Sequence, residues 1–162
     1  TPLQNANVMC IIANRGFYYI PHLVKAIDRN SNLPVLQRFK EKHYTLVTDT
    51  TYYNCVIEGM SDVVKAGTAA ASKIKGIDFC GKTGTAQNPH GKDHSLFTAF
   101  APKENPKIAI AVTVENAGWG ASWAAPIASL MIEKYLTDTI TRYEIEKRML
   151  EGDFVHKEQT EK

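Results

Sequence analysis

An α+β fold, an antiparallel sheet packed between helices, is predicted by three features of the sequence. Residues 77–115 follow a two-residue apolar period interrupted by two turn-rich segments. On either side of that block, apolar residues recur at helical spacing. The last strand candidate is apolar on both faces, so helices are expected on both sides of the sheet.

The elements follow in order. Thr1 and Pro2 form an N-cap and first-turn pair, and Leu3, Ala6, Met9, Cys10 and Ala13 then recur as one helical face. Asn14-Arg15-Gly16 closes that helix, with Gly16 expected in the left-handed conformation. Residues 17–20 and 22–27 are short β-prone runs divided by Pro21, and 28–43 read as a polar excursion. Asp49 caps a second helix with Tyr53, Val56, Ile57, Met60 and Val64 along one stripe, ended by Lys65-Ala66-Gly67. Strands are expected at 77–85, 95–101 and 107–115. Asn88-Pro89-His90-Gly91 and residues 102–106 are the turns that make them antiparallel. In the third strand Ile108, Ile110, Val112 and Val114 share one face, and Ala109 and Ala111 share the other, where a closely packed helix would fit. A final helix is expected from about residue 122, marked by Ile127, Leu130, Met131 and Tyr135. A charged C-terminal extension covers 138–162, and its last ten residues are expected to fray.

Composition excludes several classes. At 162 residues the chain has one domain's length, with 44% hydrophobic and 22% charged residues. A net charge of +2 gives no field for nucleic acid or a membrane surface. Cys10, Cys55 and Cys80 are odd in number, match no metal spacing and sit among apolar neighbours, the pattern of small buried thiols. No signal-peptide pattern or membrane span is present, and the first residue is Thr1, so a missing targeting segment carries little weight.

Chemistry concentrates in Lys82-Thr83-Gly84-Thr85-Ala86. A cation and two hydroxyls on an exposed strand suit an acyl substrate's carboxylate, and Gly84 lets another backbone approach. A solvated edge strand with a bulge explains the tetrapeptide equally well. Residues 76–83 also satisfy the phosphate-loop pattern G-x-x-x-x-G-K-[ST]. Such a loop must follow an apolar strand and open a helix. Here a polar run precedes it, and Gly84 and Asn88-Pro89 follow, so the nucleotide-binding alternative fails on context. Ser72-Lys73-Ile74-Lys75 matches Ser-x-x-K only as text, because it precedes a polar turn instead of opening a buried helix. Tyr52-Tyr53-Asn54 imitates Tyr-x-Asn, but Tyr53 belongs to the apolar stripe. His90 and His94 beside Asp93 have i,i+4 spacing, yet they span a turn, so no metal site is expected. Trp119 and Trp123 are expected to pack against the final helix.

The wider stretch decides the reading of the tetrapeptide. Residues 82–87, Leu96-Phe97-Thr98-Ala99-Phe100-Ala101-Pro102 and Ile108-Ala109-Ile110-Ala111-Val112 together resemble the end of penicillin-binding transpeptidase domains. The nearest resemblance is to the elongation-type penicillin-binding proteins 2. Gly59-Met60, Val63-Val64, Gly67-Thr68-Ala69 and Thr1-Pro2-Leu3-Gln4 fit the same family, so the resemblance covers most of residues 1–136. Only the third of the family's Ser-x-x-K, Ser-Asp-Asn and Lys-Thr-Gly motifs is present.

The resemblance implies a partial fold of the penicillin-binding-protein and serine β-lactamase type, with residues 1–137 forming the C-terminal portion of the transpeptidase domain. It implies a D,D-transpeptidase that cross-links peptidoglycan stem peptides through a serine acyl-enzyme and binds β-lactams. Lys82 would supply charge and assist proton transfer, and Thr83, Gly84 and Thr85 would bind the substrate carboxylate. The Thr85 backbone N–H would form half of an oxyanion hole, with the serine nucleophile lying outside this chain. No cofactor is implied. Stem peptides, β-lactams, the rest of the parent chain and the cell-wall elongation machinery are the implied partners, on the periplasmic face of a membrane-anchored parent. A β-lactam sensor or β-lactamase-like domain of the same fold, and a noncatalytic module sharing the sheet, stay open. The resemblance further suggests that flanking strands precede Thr1, so the outer edge of residues 107–115 should be filled by another copy, an added segment or residues 17–27.

Overall fold

The computed structural model describes residues 1–153. Helix α1 (Pro2–Ala13) starts in a capping box: the Thr1 hydroxyl accepts from the Gln4 N–H, and the Gln4 side chain accepts from the Thr1 amine at 2.8 Å. The chain leaves α1 through Arg15 (φ 56°) and Gly16 (φ 111°), so the left-handed turn falls on Arg15 as well as on the expected glycine. Gly16 has a second reason to be glycine. A Cβ there would stand 3.1 Å from the Tyr53 hydroxyl.

Strand β1 (Phe17–Tyr18) pairs antiparallel with β2 (His43–Tyr44). Between them lies an exposed excursion holding the short helix α2 (Pro34–Gln37), which buries Leu36. Helix α3 (Thr50–Lys65) begins at Asp49, whose carboxylate accepts from the Thr51 N–H at 2.8 Å. Tyr53, Ile57, Met60 and Val64 are buried as the periodicity requires, whereas Val56 is exposed.

The main sheet has the order β3 (Cys80–Ala86), β4 (His94–Ala101), β5 (Ile108–Val114), all antiparallel. Its register pairs Lys82 with Thr98 and Phe97 with Val112. Residues 77–79 precede the strand instead of belonging to it, because Ile77 bridges back to Ile74 in a turn through Gly76.

Each face of the sheet carries its own core, set by the alternation of side chains. On one face Cys80, Phe100 and Ala109 meet Met9, Ala13, Ile57 and Met60 of α1 and α3. The small Ala109 admits α1 closely, as the sequence implied. On the other face Phe97, Ala99 and Ile110 meet Ala124, Ala128 and Ile132 of α4 (Ala124–Thr137). The end of α3 and the turn after it pass between these layers. Ile57 and Met60 belong to the first core, and Val64, Ala69 and Ile74 belong to the second. Residues 64–74 therefore cross from one face to the other beside β3.

The final helix marked by Ile127, Leu130, Met131 and Tyr135 is present, and its sheet-facing stripe is Ala124, Ala128 and Ile132. Of the marking residues only Leu130 is buried, and Met131 and Tyr135 are exposed. Several expectations are corrected. Of the cysteines, Cys80 alone is buried, Cys10 is half-buried and Cys55 is exposed. Burial pushes the Cys80 thiol up to about 11, and the thiol donates to the Ile57 carbonyl. The charged extension forms an amphipathic helix, α5 (Tyr143–Leu150), that the sequence reading did not resolve. The expected fraying falls mostly on residues 154–162, outside the described residues. Residues 17–27 do not fill the edge of β5, since residues 17 and 18 pair with 44 and 43. Among the described residues β5 pairs only with β4.

Candidate active site

Lys82, Thr83, Gly84 and Thr85 lie on β3, which pairs only with β4 among the described residues. The pleat parts them. Lys82 and Gly84 follow the parity of Cys80 and face α1 and α3, whereas Thr83 and Thr85 follow Gly81 and face the α4 side. They share a site only at the strand's open edge, where a ligand can touch both faces at once.

On the first face an open cleft of about 430 Å³ lies under the strand, lined by Asn5, Val8, Met9 and Met60 as well as Lys82 and Leu96. Lys82 is exposed, and its ammonium donates to the Thr83 carbonyl at 2.7 Å. Thr85 is exposed as well. On the second face the Thr83 hydroxyl lies 2.8 Å from the Thr68 hydroxyl, in the segment that rounds the strand. Nothing in the Gly67-Thr68-Ala69 sequence marks Thr68 as part of a site. The two residues stand fifteen positions apart in sequence, which hides the contact from any local pattern.

The loop from β5 to α4 closes over the same strand. Gly118 N–H donates to the Asp93 carbonyl at 2.7 Å, and the buried Ser95 hydroxyl donates to the Trp119 carbonyl at 2.9 Å. Ser95 in turn accepts from the Ala124 N–H, which begins α4. These contacts press Gly120 onto the ladder. A Cβ on Gly120 would lie 2.3 Å from the Leu96 carbonyl oxygen and 2.4 Å from that of Gly84. Gly81 is equally constrained, because a Cβ there would meet the Phe97 ring at 2.3 Å.

The turn behind Thr83 is anchored by a buried ion pair. Glu133 on α4 accepts from Arg142 Nε at 2.9 Å and from the Thr141 hydroxyl at 2.6 Å. Burial pushes its carboxyl up, but the hydrogen bonds from Thr141 and Arg142 outweigh burial and hold it below the ordinary range. Arg142 Nη1 also donates to the Ser72 and Lys73 carbonyls and to the Ser129 hydroxyl.

The remaining sequence candidates are structural. Ser72 is fully buried and its carbonyl accepts from Arg142, so the serine of the Ser-x-x-K match at 72–75 does not face the cleft. Tyr53 is buried and bonds Thr45 and the Val47 carbonyl, and Asn54 accepts from Arg15. Residues 76–83 run from a turn into a strand, not into a helix, which removes the phosphate-loop geometry. His94 accepts from the Asn116 N–H and Asp93 from the Asn88 N–H, as parts of the hairpin turn. Among the described residues no cluster suits a metal ion. Trp119 is 77% exposed instead of packing on the final helix, and Trp123 lies under the Arg148 guanidinium.

Residues 1–133 match the penicillin binding protein transpeptidase domain, and the chain belongs to that family. It is 33% identical over 165 residues to the peptidoglycan D,D-transpeptidase MrdA of Haemophilus influenzae, covering 89% of this chain and 25% of that protein. It is 33% identical over 152 residues to PbpA of Mycolicibacterium smegmatis, covering 85% of this chain and 30% of that one. Among solved structures, Pseudomonas aeruginosa PBP2 in complex with WCK 5153 aligns with a TM-score of 0.72 at 36% identity, over 85% of this chain and 30% of the other. The imipenem acyl-enzyme of Mycobacterium tuberculosis penicillin-binding protein A aligns with a TM-score of 0.68 at 32% identity, over 85% and 31%. The chain spans between about a quarter and a third of the length of these relatives. No helix among the described residues is long and apolar enough to cross a membrane.

Proposed function

We propose that these residues are the C-terminal part of the transpeptidase domain of a PBP2-type peptidoglycan D,D-transpeptidase, the domain portion ending near residue 137. The observation that carries this reading is the Lys82–Thr85 strand, unpaired along one edge among the described residues and set beside a cleft, in a chain of this family. A serine supplied by the rest of the parent attacks the penultimate D-Ala carbonyl of a stem peptide. The serine O–C bond forms as the peptide C–N bond breaks, and the serine's proton passes to the departing D-Ala amine. A second stem peptide's amine then attacks the ester and releases the serine, completing the cross-link. β-Lactams acylate the same serine by opening their ring amide.

In this chemistry Lys82 supplies positive charge to the substrate carboxylate and to the serine's proton path. The Thr83 and Thr85 hydroxyls donate to that carboxylate, and Gly84 admits the substrate backbone. The Thr85 backbone N–H stabilises the developing oxyanion, a donor of a kind whose loss typically costs about 3 kcal/mol of barrier. No cofactor is needed for these steps. The acyl-enzyme structure of the tuberculosis relative and a solved peptidoglycan synthase complex, aligned at 26% identity, support β-lactams and cell-wall machinery as partners. The parent is placed on the periplasmic face of the inner membrane, held by an anchor outside these residues.

Fluorescent penicillin tests the reading. The parent should label covalently at one serine upstream of Thr1 and keep the label, whereas the 162-residue chain should not label. Mass-spectrometric labelling at Ser72 would overturn the assignment. Rapid hydrolysis of the label by the parent would indicate a β-lactamase instead.

A further inference from the structure

The geometry points to Thr68 as a positioning residue that sets the direction of the Thr83 hydroxyl and so determines preference for substrates bearing a carboxylate. This inference rests on the proposed role of Thr83. The two hydroxyl oxygens are 2.8 Å apart, and either can be the donor. A hydroxyl has one proton to give. When Thr83 donates to a carboxylate, its proton is committed, so the short contact survives only if Thr68 donates into the Thr83 oxygen. An anion at the edge therefore selects one of two arrangements of the pair. The bond from Thr68 then polarises the outgoing Thr83 O–H, as chained hydrogen bonds do.

The placement of Thr68 is fixed by its surroundings. Gly67 takes the tight exit from α3, where a Cβ would lie 2.7 Å from the Val63 Cα. Ala69 is 1% exposed, and its N–H donates to the Val63 carbonyl at 3.0 Å. The 3-10 turn Ala70–Ser72 follows, and Arg142 binds the Ser72 carbonyl at its end and the Lys73 carbonyl just after it. Arg142 lies beyond the residues matched to the transpeptidase family. The backbone that carries Thr68 is thus held by a buried helix end on one side and a C-terminal clasp on the other. Thr68 itself is exposed at the strand edge, so removing its hydroxyl leaves both cores intact.

The test uses the full-length parent and compares acylation by benzylpenicillin with acylation by its methyl ester, which lacks the carboxylate charge. Thr68→Val should lower acylation efficiency with benzylpenicillin about fivefold, the factor that one hydrogen bond of ordinary net strength represents. The methyl ester should be almost unaffected, and Thr68→Ser should restore the preference for the acid. Thr83→Val, measured in parallel, should lose the preference at least as strongly. If Thr83→Val loses it and Thr68→Val keeps it, or if Thr68→Val slows both compounds equally, the positioning role is wrong and the Thr83 assignment stands. If Thr83→Val leaves the preference intact, the carboxylate role of Thr83 falls, and the role of Thr68 falls with it.

Discussion

Replacing Gly120 by alanine inserts one methyl group between a loop and a sheet at a point where neither side can yield cheaply. The new Cβ would meet the Leu96 and Gly84 carbonyl oxygens at 2.3 and 2.4 Å and the Gly84 nitrogen at 3.1 Å. These are backbone atoms in a paired register, Gly84 opposite Leu96, so the loop must move and not the ladder. Cβ atoms essentially never approach closer than 3.0 Å, so the loop must retreat by at least about 0.7 Å. That distance stretches the Ser95–Trp119 bond from 2.9 Å out of hydrogen-bonding range. Ser95 is fully buried, so the lost bond adds about 1 kcal/mol to an overpacking cost of about 1–3 kcal/mol. A total loss of roughly 2–4 kcal/mol is expected.

Urea unfolding of the 162-residue protein measures this directly, with Gly59→Ala as the opposite control. Gly59 lies inside α3 with nothing within 4 Å of an added Cβ, so alanine there should stabilise by up to about 1 kcal/mol. A lower midpoint for Gly120→Ala and a higher one for Gly59→Ala, at unchanged slope, is the expected pattern. If Gly120→Ala shifts the midpoint no further than a surface substitution, the loop is not seated on the ladder, and the account of the site's second face is wrong.

Lys82→Ala in the parent should slow acylation by penicillin by orders of magnitude, measured by stopped-flow labelling. Its unfolding midpoint should be retained, because Lys82 is exposed and packs against little. Arg142→Met should cost about 3–5 kcal/mol in urea unfolding, because Glu133 stays buried without its cation. Adding Glu133→Gln to that variant should recover part of the loss by removing the stranded charge. The Glu133 carboxyl is held below its ordinary 4.5 in the folded protein. Its contribution is therefore complete above that value and is lost as the pH falls through the lowered folded value. Stability curves of wild type and Glu133→Gln should accordingly converge in that acid range and separate near neutrality.

The features legible in the sequence are those whose causes are local. Thr1 and Asp49 cap helices through atoms two or three residues away, so their residue types suffice. The alternation in 108–114 records its two faces directly, with alanines where α1 approaches and β-branched residues where α4 packs. The sequence marks helix α4 but not its buried face, because the helix is apolar almost all round and close contact with the sheet selects the small Ala124 and Ala128 beside Ile132. The pairing of 17–18 with 43–44 was hidden because a two-residue strand has no measurable period. Arg142, in the charged extension, and Glu133, on α4, look like ordinary surface charges until the fold pairs them.

The candidate site shows the same division at closer range. Lys-Thr-Gly-Thr was recognisable because its residue types are unusual for a bare edge strand. Yet on an ideal strand the lysine and the threonines point to opposite faces, and the strand alone cannot make them act together. Two segments distant in sequence bring each face to the edge. Residues 64–74 round the strand and set Thr68 against Thr83. The loop after β5 lays Gly120 across Gly84. Both approaches depend on the absence of a side chain, at Gly67 where α3 turns and at Gly120 where the loop meets the ladder. Neither glycine lies within the motif, so the motif names the chemistry while residues outside it give that chemistry its shape.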